Sequence, residues 1–374
     1  MIWSVPALQD TTIYESDPYR NAGLDQVLEL RKEGDSSTSD LAESRILIKF
    51  DISQLPSILS QNGISINNIS ASLILNSVQE YELPASYTIQ AKAITSNWIN
   101  GTGYHYFPAG TLTNKNITDG ATWFSTAGSG STTWESISNA NASYGFLYNS
   151  GSTAGGVTWY TSSIASQSFS FKTDDTVNLD VTDIVKNWVN SVYTNNGFLI
   201  SYKHEDITSS YTPESNIQFY SAETHTVYEP QLYISWTGSL TYTTGSLTQM
   251  TYENDPIVYV RSFKGEYGVD KKNRILIAAR PKYPRPSFAQ NSTFASIKAL
   301  PRNSYYQIKD AHNDKIIIPF GATTKLNTNL SGSYFDFYTT MMYPERFYKF
   351  EIKSEFEDFT EYFSSNEFTF KVIK

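Results

Sequence analysis

The chain has 374 residues, of which 17% are charged and 15% aromatic, and its formal net charge is -9. This length exceeds what one hydrophobic core usually organises, so we expect two domains. The 27 Tyr, 21 Phe and 7 Trp argue against disorder, and the absence of cysteine excludes disulfides, thiolate metal sites and a cysteine nucleophile. No apolar run approaches the ~20 residues of a membrane-spanning helix, and the first 20 residues lack the pattern of a secretory signal.

The first part of the chain alternates apolar and polar residues in short segments, which predicts strands with one face turned inward. The predicted strands are 44–52, 69–78, 87–94, 197–203 and 230–236. One helix is predicted near residues 182–193, because Ile184, Val185 and Trp188 recur at helical spacing. Asp180 or Thr182 can cap its start. We therefore expect a jelly-roll-like β-sandwich over residues 1–237, with one short helix.

Residues 94–170 form a weakly patterned, nearly uncharged insertion that we predict to consist of long loops. Four tryptophans lie in it: Trp98, Trp123, Trp134 and Trp159. They have two interpretations, which the sequence leaves open. Either the rings are buried with their N–H groups satisfied, or they are aromatic platforms that contact a glycan or a partner protein.

Several sequence blocks fall in order along residues 9–237. They are DTTIYESDPYRNAGLDQVLEL, SRILIKFDISQLP, ISASLIL, LDVTDIVKNWVN, NNGFLISYK and IQFYSAETHTVYEPQLYISW. Together they resemble the DNRLRE-type module, a carbohydrate-binding-module-like β-sandwich of extracellular and phage proteins. The resemblance implies a sandwich without catalytic activity. Some members bind acidic polysaccharide, so it also implies a host surface glycan as an alternative partner.

A polar segment with two glycines, residues 238–246, predicts a short linker, followed by a second domain over 247–374. Seven strand candidates follow, at 255–263, 274–280, 304–310, 315–320, 334–340, 346–353 and 368–374. Seven short strands in this length are typical of an immunoglobulin-like β-sandwich.

Charge divides the chain in the same place. Residues 1–237 carry 10 Lys/Arg and 23 Asp/Glu, whereas residues 238–374 carry 18 and 14. A proline-rich basic strap, residues 261–302, holds ten cations against two anions. The candidate interface cations in it are Lys271, Lys272, Arg274, Arg280, Lys282 and Arg285. They either form a solvated surface or dock on an acidic protein face; a nucleic-acid partner is not favoured, because no recognition motif accompanies them.

Residues from about 255 to 355 add a second resemblance. The stretch ARPKYPRPSFAQNSTFASIKALPRNSYYQIKD and the segment YPERFYKFEIK resemble the C-terminal part of virion structural proteins from large tailed phages. The resemblance implies a place in a particle, with other virion proteins and further copies of the same chain as partners.

Catalytic and metal-binding patterns are missing from the sequence. The four histidines form no HExxH or HxH arrangement, and there is no phosphate-binding loop or nucleophile elbow. Asp174, Asp175 and Asp180 offer oxygen ligands suited to calcium, but the capping role of Asp180 competes with this and is favoured. We therefore expect no catalytic residue, no cofactor and no metal.

The prediction that combines these features is a non-enzymatic structural component of a tailed bacteriophage virion, in the neck or collar, tail or baseplate. It is synthesised in the host cytoplasm, assembles as symmetric copies through protein–protein interfaces, and has no membrane partner. The alternative is a carbohydrate-binding module that recognises the host surface. A polysaccharide lyase or hydrolase is the least favoured alternative.

Overall fold

The protein is built almost entirely from strands. The computed structural model describes residues 1–34, 41–81, 86–105, 119–128, 133–134, 144–145, 155–170, 176–203, 215–238, 240–251, 256–283, 297–340, 342–357 and 359–374. Strands account for 49% of the residues and helices for 9%. The predicted all-β class with two β-sandwiches is confirmed.

The chain forms two compact units. The larger unit contains Val5–Tyr233, and the smaller unit contains Met1–Ser4 together with Ile234–Lys374. The division after Tyr233 lies four residues before the predicted end of the first domain. The predicted linker is integrated into the smaller unit, because the N–H of Thr243 donates to the carbonyl oxygen of Thr328 at 3.1 Å.

The first thirteen described strands lie between residues 2 and 236. They are β1 (Ile2–Pro6), β2 (Gln9–Tyr14), β3 (Val27–Gly34), β4 (Leu41–Lys49), β5 (Ile69–Leu75), β6 (Ser77–Tyr81), β7 (Ser86–Ile94), β8 (Tyr144–Gly145), β9 (Trp159–Ser170), β10 (Val177–Asp180), β11 (Phe198–Tyr202), β12 (Ser215–Tyr220) and β13 (Gln231–Trp236). One sheet has the order β1-β13-β5-β10. The other has the order β6-β12-β3-β4-β11-β7-β9-β8, with β2 also paired to β4.

Strands of the larger unit differ in how many faces they bury. In β5, burial alternates along the strand, with Ala71, Leu73 and Leu75 inward, as the period-two pattern predicts. In contrast, all five residues of β11 are buried. Strand β11 lies between β4 and β7 in the centre of the nine-stranded sheet. Because successive side chains point to opposite faces and all five are buried, both faces of the sheet are covered there.

The prediction of loops throughout residues 94–170 is wrong at its C-terminal end. Residues 159–170 form β9, which pairs antiparallel with β7 from Ser86↔Ser170 to Ile94↔Trp159. The strand is rich in Ser and Thr, and only Trp159, Ala165 and Phe169 are buried. Backbone pairing with β7 therefore stabilises a segment whose apolar pattern is too sparse to predict a strand.

The described ranges contain two α-helices, α1 (Leu55–Gln61) and α2 (Thr182–Val189), where one was predicted. Helix α1 has only two turns, which left its periodicity undetected, and it buries Leu55, Ile58 and Leu59. Helix α2 buries the predicted Ile184, Val185 and Trp188. Neither helix has the length and apolar character that crossing a membrane would require.

Asp180 stands at the start of α2, as predicted. Its Oδ1 accepts a hydrogen bond at 3.0 Å from the N–H of Thr182, the first residue of the helix. The hydroxyl of Thr182 instead lies 2.8 Å from the backbone nitrogen of Ala71, from which it accepts. Asp174 and Asp175, the other two calcium candidates, lie outside the described residues.

The smaller unit contains all seven predicted strands and three short additional ones. In chain order they are β14 (Pro256–Val260), β15 (Glu266–Gly268), β16 (Lys272–Pro281), β17 (Ser304–Asp310), β18 (Ile316–Ile318), β19 (Asn327–Asn329), β20 (Gly332–Tyr338), β21 (Phe347–Glu355), β22 (Thr360–Phe363) and β23 (Thr369–Ile373). One sheet has the order β14-β16-β20-β19. The other has the order β15-β23-β21-β17-β18, with β22 also paired to β21.

Aromatic rings from the two sheets form the core of the smaller unit. On β20, Phe335 stacks on Tyr306 of β17 with ring centroids 4.0 Å apart, and it meets Phe350 of β21 at 5.5 Å. Phe337, two residues further along β20, meets Phe370 of β23 at 5.4 Å. Because these contacts join strands of opposite sheets, they define the interior of the sandwich.

Candidate functional site

The four loop tryptophans lie inside the larger unit, in one apolar cluster. Their exposed fractions are 2% for Trp98, 6% for Trp123, 2% for Trp134 and 5% for Trp159. The cluster also includes Ile13, Leu47, Ile94, Ala121, Val157 and Leu199. Of the two interpretations left open by the sequence, burial describes these rings, since buried ring faces cannot receive a sugar.

The indole N–H groups explain why two of these rings can be buried. Nε1 of Trp98 donates to the carbonyl oxygen of Asn196 at 2.8 Å, and Nε1 of Trp134 donates to that of Thr122 at 3.0 Å. A buried indole N–H without an acceptor would cost a lost hydrogen bond. The tryptophans therefore tie the loops onto the nine-stranded sheet.

Two buried cations lie against the tryptophan cluster, and the sequence did not predict them. The guanidinium carbon of Arg45 lies 4.7 Å from the ring centroid of Trp123, and Nζ of Lys92 lies 4.6 Å from that of Trp159. Both side chains are 2% exposed. Glu43 pairs with Arg45, and Ser201 accepts a hydrogen bond from Lys92 at 3.1 Å. A carboxylate, a hydroxyl and the aromatic faces thus compensate the desolvation of these cations.

Asn21 links three separate parts of the loop region. Its Nδ2 donates to the carbonyl oxygens of Asn100 at 2.7 Å and Ala121 at 2.9 Å. Its Oδ1 accepts from the N–H groups of Gly23 at 3.1 Å and Gly103 at 2.8 Å. The side chain is fully buried, and all four of its hydrogen-bonding positions are used.

Gly23 allows that link to form. A Cβ atom at this position would lie 2.2 Å from the carbonyl oxygen of Asn100, which no side chain can tolerate. The Asn-Ala-Gly motif of the sequence is therefore a structural device that joins a turn to the loops.

A histidine that the sequence gave no reason to select lies next to this link. The ring of His105 stacks on that of Tyr14, with centroids 4.1 Å apart, and its Nδ1 lies 3.2 Å from Nη1 of Arg20. Because the guanidinium is always a donor, Nδ1 acts as the acceptor and the imidazole is neutral. Burial, and secondarily the charge of Arg20, lower the pKa of His105.

Tyr14 connects His105 to a fully buried carboxylate. The hydroxyl of Tyr14 donates to Glu29 at 2.9 Å. The other oxygen of Glu29 accepts from Asn216 at 3.1 Å and from Gln218 at 2.7 Å. The arrangement can hold a negative charge and a neutral imidazole side by side. Each of these groups is engaged by protein partners, as expected for a structural network.

Asp10 is another buried carboxylate of the larger unit. Its side chain is 2% exposed and accepts a hydrogen bond from the N–H of Ala222 at 2.8 Å. Burial raises the pKa of Asp10 to about 7, the Ala222 N–H opposes that rise, and the charges of Glu223 and Glu229 add to it.

The predicted basic strap is partly a row on β16. Lys272 and Arg274 occupy alternate positions, which share one face of the strand. Arg274 makes two hydrogen bonds to Asp336, at 2.6 and 2.8 Å, and lies 4.3 Å from the ring centroid of Tyr334. Nζ of Lys272 lies 3.5 Å from the same carboxylate. Asp336 therefore neutralises part of this charge within the chain.

The remaining candidate cations are placed separately. Lys271 is exposed in the turn before β16, and Lys282 is exposed after it, with Nζ 5.5 Å from the ring centroid of Tyr283. Arg280 is half-buried and donates to the carbonyl oxygen of Pro281 at 3.3 Å. Arg285 lies outside the described residues.

Among the described residues, no group of three or more His, Asp and Glu side chains is placed to hold a metal ion. Comparisons of this chain with protein-family models, with curated proteins and with solved structures found no match. Fold and surface therefore define the class: an all-β protein of two sandwich units, with aromatic cores and a basic row on one strand.

Proposed function

We propose that this protein is a non-enzymatic structural component of a tailed-phage virion, in the neck, tail or baseplate. The observation that carries the proposal is that its aromatic and polar side chains in the loop region contact other parts of the same chain. The four loop tryptophans are 2–6% exposed. Asn21 and the Tyr14–His105 pair lie among partners from their own chain. Loop residues that are buried against the β-sandwich suit a protein that acts through the shape of its surface.

Assembly through protein–protein interfaces also fits the distribution of charge. Residues 1–237 are strongly acidic, whereas 238–374 carry a surplus of cations. On β16, Lys272 and Arg274 share a face, and Lys271 and Lys282 are exposed at its two ends. Such a row complements an acidic protein surface, which steers association and fixes its orientation.

Electron microscopy of the particle that carries this chain tests the proposal. We expect density for two β-sandwich units at a symmetric position, and absence of the chain from purified particles would overturn the proposal. The double variant Lys271→Glu and Lys282→Glu should reduce incorporation into particles, more strongly at low salt than at high salt. Lys374→Glu, which changes an exposed cation outside the row, is the matched control.

Glycan recognition remains the second candidate, and surface tyrosines favour it more than the tryptophans do. Tyr160 and Tyr193 are half-buried and stack with ring centroids 3.9 Å apart, and Tyr19 is 60% exposed. A glycan array with the whole protein tests this candidate. Binding that is lost in Tyr193→Ala but kept in Tyr283→Ala, a control in the smaller unit, would support it. An array without signal would exclude it for the glycans present.

A further inference from the structure

Strand β14 forms one edge of the four-stranded sheet in the smaller unit. It runs antiparallel to β16, with Val260 opposite Ile277. The N–H of Arg261, the next residue, donates to the carbonyl oxygen of Leu276 at 2.9 Å. Because backbone groups alternate in direction, Ile257 and Tyr259 also turn their N–H and C=O groups toward β16. Val258 and Val260 therefore turn theirs away from the sheet.

The opposite edge of the same sheet is covered. There the N–H of Thr328 on β19 donates to the carbonyl oxygen of Thr241 at 2.8 Å, and the N–H of Thr243 donates back to Thr328 at 3.1 Å. Within the described ranges, no strand pairs with the outward side of β14. Among the described residues, one edge of this sheet is therefore hydrogen-bonded to a neighbouring segment and the other edge is open.

Strand β14 has a proline at its first residue but otherwise lacks the features that normally protect a sheet edge. Such edges are usually short or carry charged residues. In the described part of this unit, β18 has three residues and β22 carries Glu361. In contrast, β14 has five residues, no charge, and four half-exposed apolar or aromatic side chains in succession: Ile257, Val258, Tyr259 and Val260.

We propose that the outward side of β14 pairs antiparallel with β14 of a second copy of this chain, about a two-fold axis at Tyr259. The pairing would join two four-stranded sheets into one of eight strands. This inference deepens the proposed function, because it rests on the assembly of symmetric copies and names the surface that joins two of them.

The direction of the backbone groups fixes the register. Val258 of each copy lies opposite Val260 of the other, and each such pair exchanges two N–H···O=C hydrogen bonds. Tyr259 then faces its own counterpart across the axis, in a pair without hydrogen bonds. Pro256 has no N–H to donate, so the ladder ends there, with its carbonyl oxygen as the last acceptor.

The charges that flank β14 favour an antiparallel partner of the same sequence. Glu253 and Asp255 precede the strand, whereas Arg261 and Lys264 follow it. In sequence order, an antiparallel partner therefore runs with its following cations at the end of β14 that acidic residues precede. A parallel arrangement would bring like charges together. The two-fold axis also closes the interface, so that pairing stops at two copies.

A single cysteine at the axis tests this geometry, because the chain contains no cysteine of its own. Residues opposite each other without hydrogen bonds have Cα atoms about 4.5 Å apart, within the range a disulfide spans. Tyr259→Cys should therefore form a disulfide-linked dimer under mild oxidation. Tyr362→Cys, on edge strand β22 and replacing a side chain that is 60% exposed, is the matched control and should remain uncrosslinked.

Analytical ultracentrifugation of the whole protein gives the second measurement. At micromolar concentration, the apparent mass of the wild-type protein should be twice the 42.1 kDa of one chain. Tyr259→Lys should weaken the dimer about tenfold or more, because it places two positive charges across the axis, whereas Tyr362→Lys should leave it intact. Cooperative thermal unfolding shows whether each variant is folded. If Tyr259→Lys does not fold, the cysteine pair decides the question alone.

Three outcomes separate this inference from the proposed function. A monomeric wild type, or a dimer in which Tyr259→Cys does not crosslink, overturns the inference. If the same chain is nevertheless found in particles, the proposed function stands without it. A crosslinked dimer that is absent from every particle supports the inference and overturns the proposed function.

Discussion

Asp10 should make the stability of the larger unit fall as the pH rises. Burial raises the pKa of Asp10 from the ordinary 3.8 to about 7, so the folded chain holds a proton that the unfolded chain releases. Below the ordinary pKa, Asp10 is protonated in both the folded and the unfolded chain, so its ionisation does not lower the stability. Between that value and about 7, the cost of an ionised, buried carboxylate grows with pH and then stays constant.

The replacement Asp10→Asn removes this cost. A shift of the pKa from 3.8 to about 7 corresponds to about 4 kcal/mol. Asparagine has nearly the same shape, and its oxygen can still accept the hydrogen bond that Ala222 donates at 2.8 Å. We therefore expect the stability of the variant, relative to wild type, to increase by about 4 kcal/mol between about pH 4 and pH 8.

Urea unfolding followed by tryptophan fluorescence measures this difference, because five of the seven tryptophans lie in the larger unit. The control is Asp51→Asn, at an exposed aspartate whose pKa is lowered by hydrogen bonds from Ser53. That aspartate stabilises the fold above its ordinary pKa, so the control should lose stability at neutral pH. An equal difference between Asp10→Asn and wild type at pH 4 and pH 8 would refute the reasoning.

Three further substitutions test the packing. Asn21→Ala leaves buried N–H and C=O groups unpaired and should destabilise the larger unit by about 2–4 kcal/mol in urea unfolding, whereas Asn67→Ala, at an exposed site, should not. Arg45→Ala leaves Glu43 buried without its cation and should cost about 3–5 kcal/mol in the same assay. Phe335→Ala removes a ring from the core of the smaller unit; it should cost about 3–5 kcal/mol there and leave the transition of the larger unit unchanged.

The sequence predicted several strands in which one face is buried and the other is not, although it missed β12, whose burial also alternates. In β21, burial alternates strictly from Tyr348 to Ser354, so the period-two pattern was visible. Strand β9 and helix α1 escaped prediction because the first depends on backbone pairing with β7 and the second has only two turns. Neither property leaves a strong apolar pattern in the sequence.

The candidate sites were less predictable, for a related reason. The sequence around a tryptophan in a loop does not show whether its ring is buried or exposed, so the sequence left both interpretations of these four residues open. Arg45 and Lys92 lie in strands at positions that normally face water. Their burial depends on Trp123 and Trp159, which are distant in the chain. Asn21 did leave a signal, because Gly23 follows it at the spacing of a tight turn.

The central position of β11 has a consequence for how fast the larger unit folds. Phe198 pairs with Ile48, 150 positions earlier, and with Ala93, 105 positions earlier. Two long segments of chain must therefore close before the middle of the sheet exists, and each closure costs entropy that later contacts repay. The larger unit should fold slowly, while the smaller unit, whose β17 and β18 meet across a short turn, has local contacts from which to begin. During that interval the fully buried strand β11 lacks its partners, which makes the period after synthesis the one in which this protein is most exposed to aggregation.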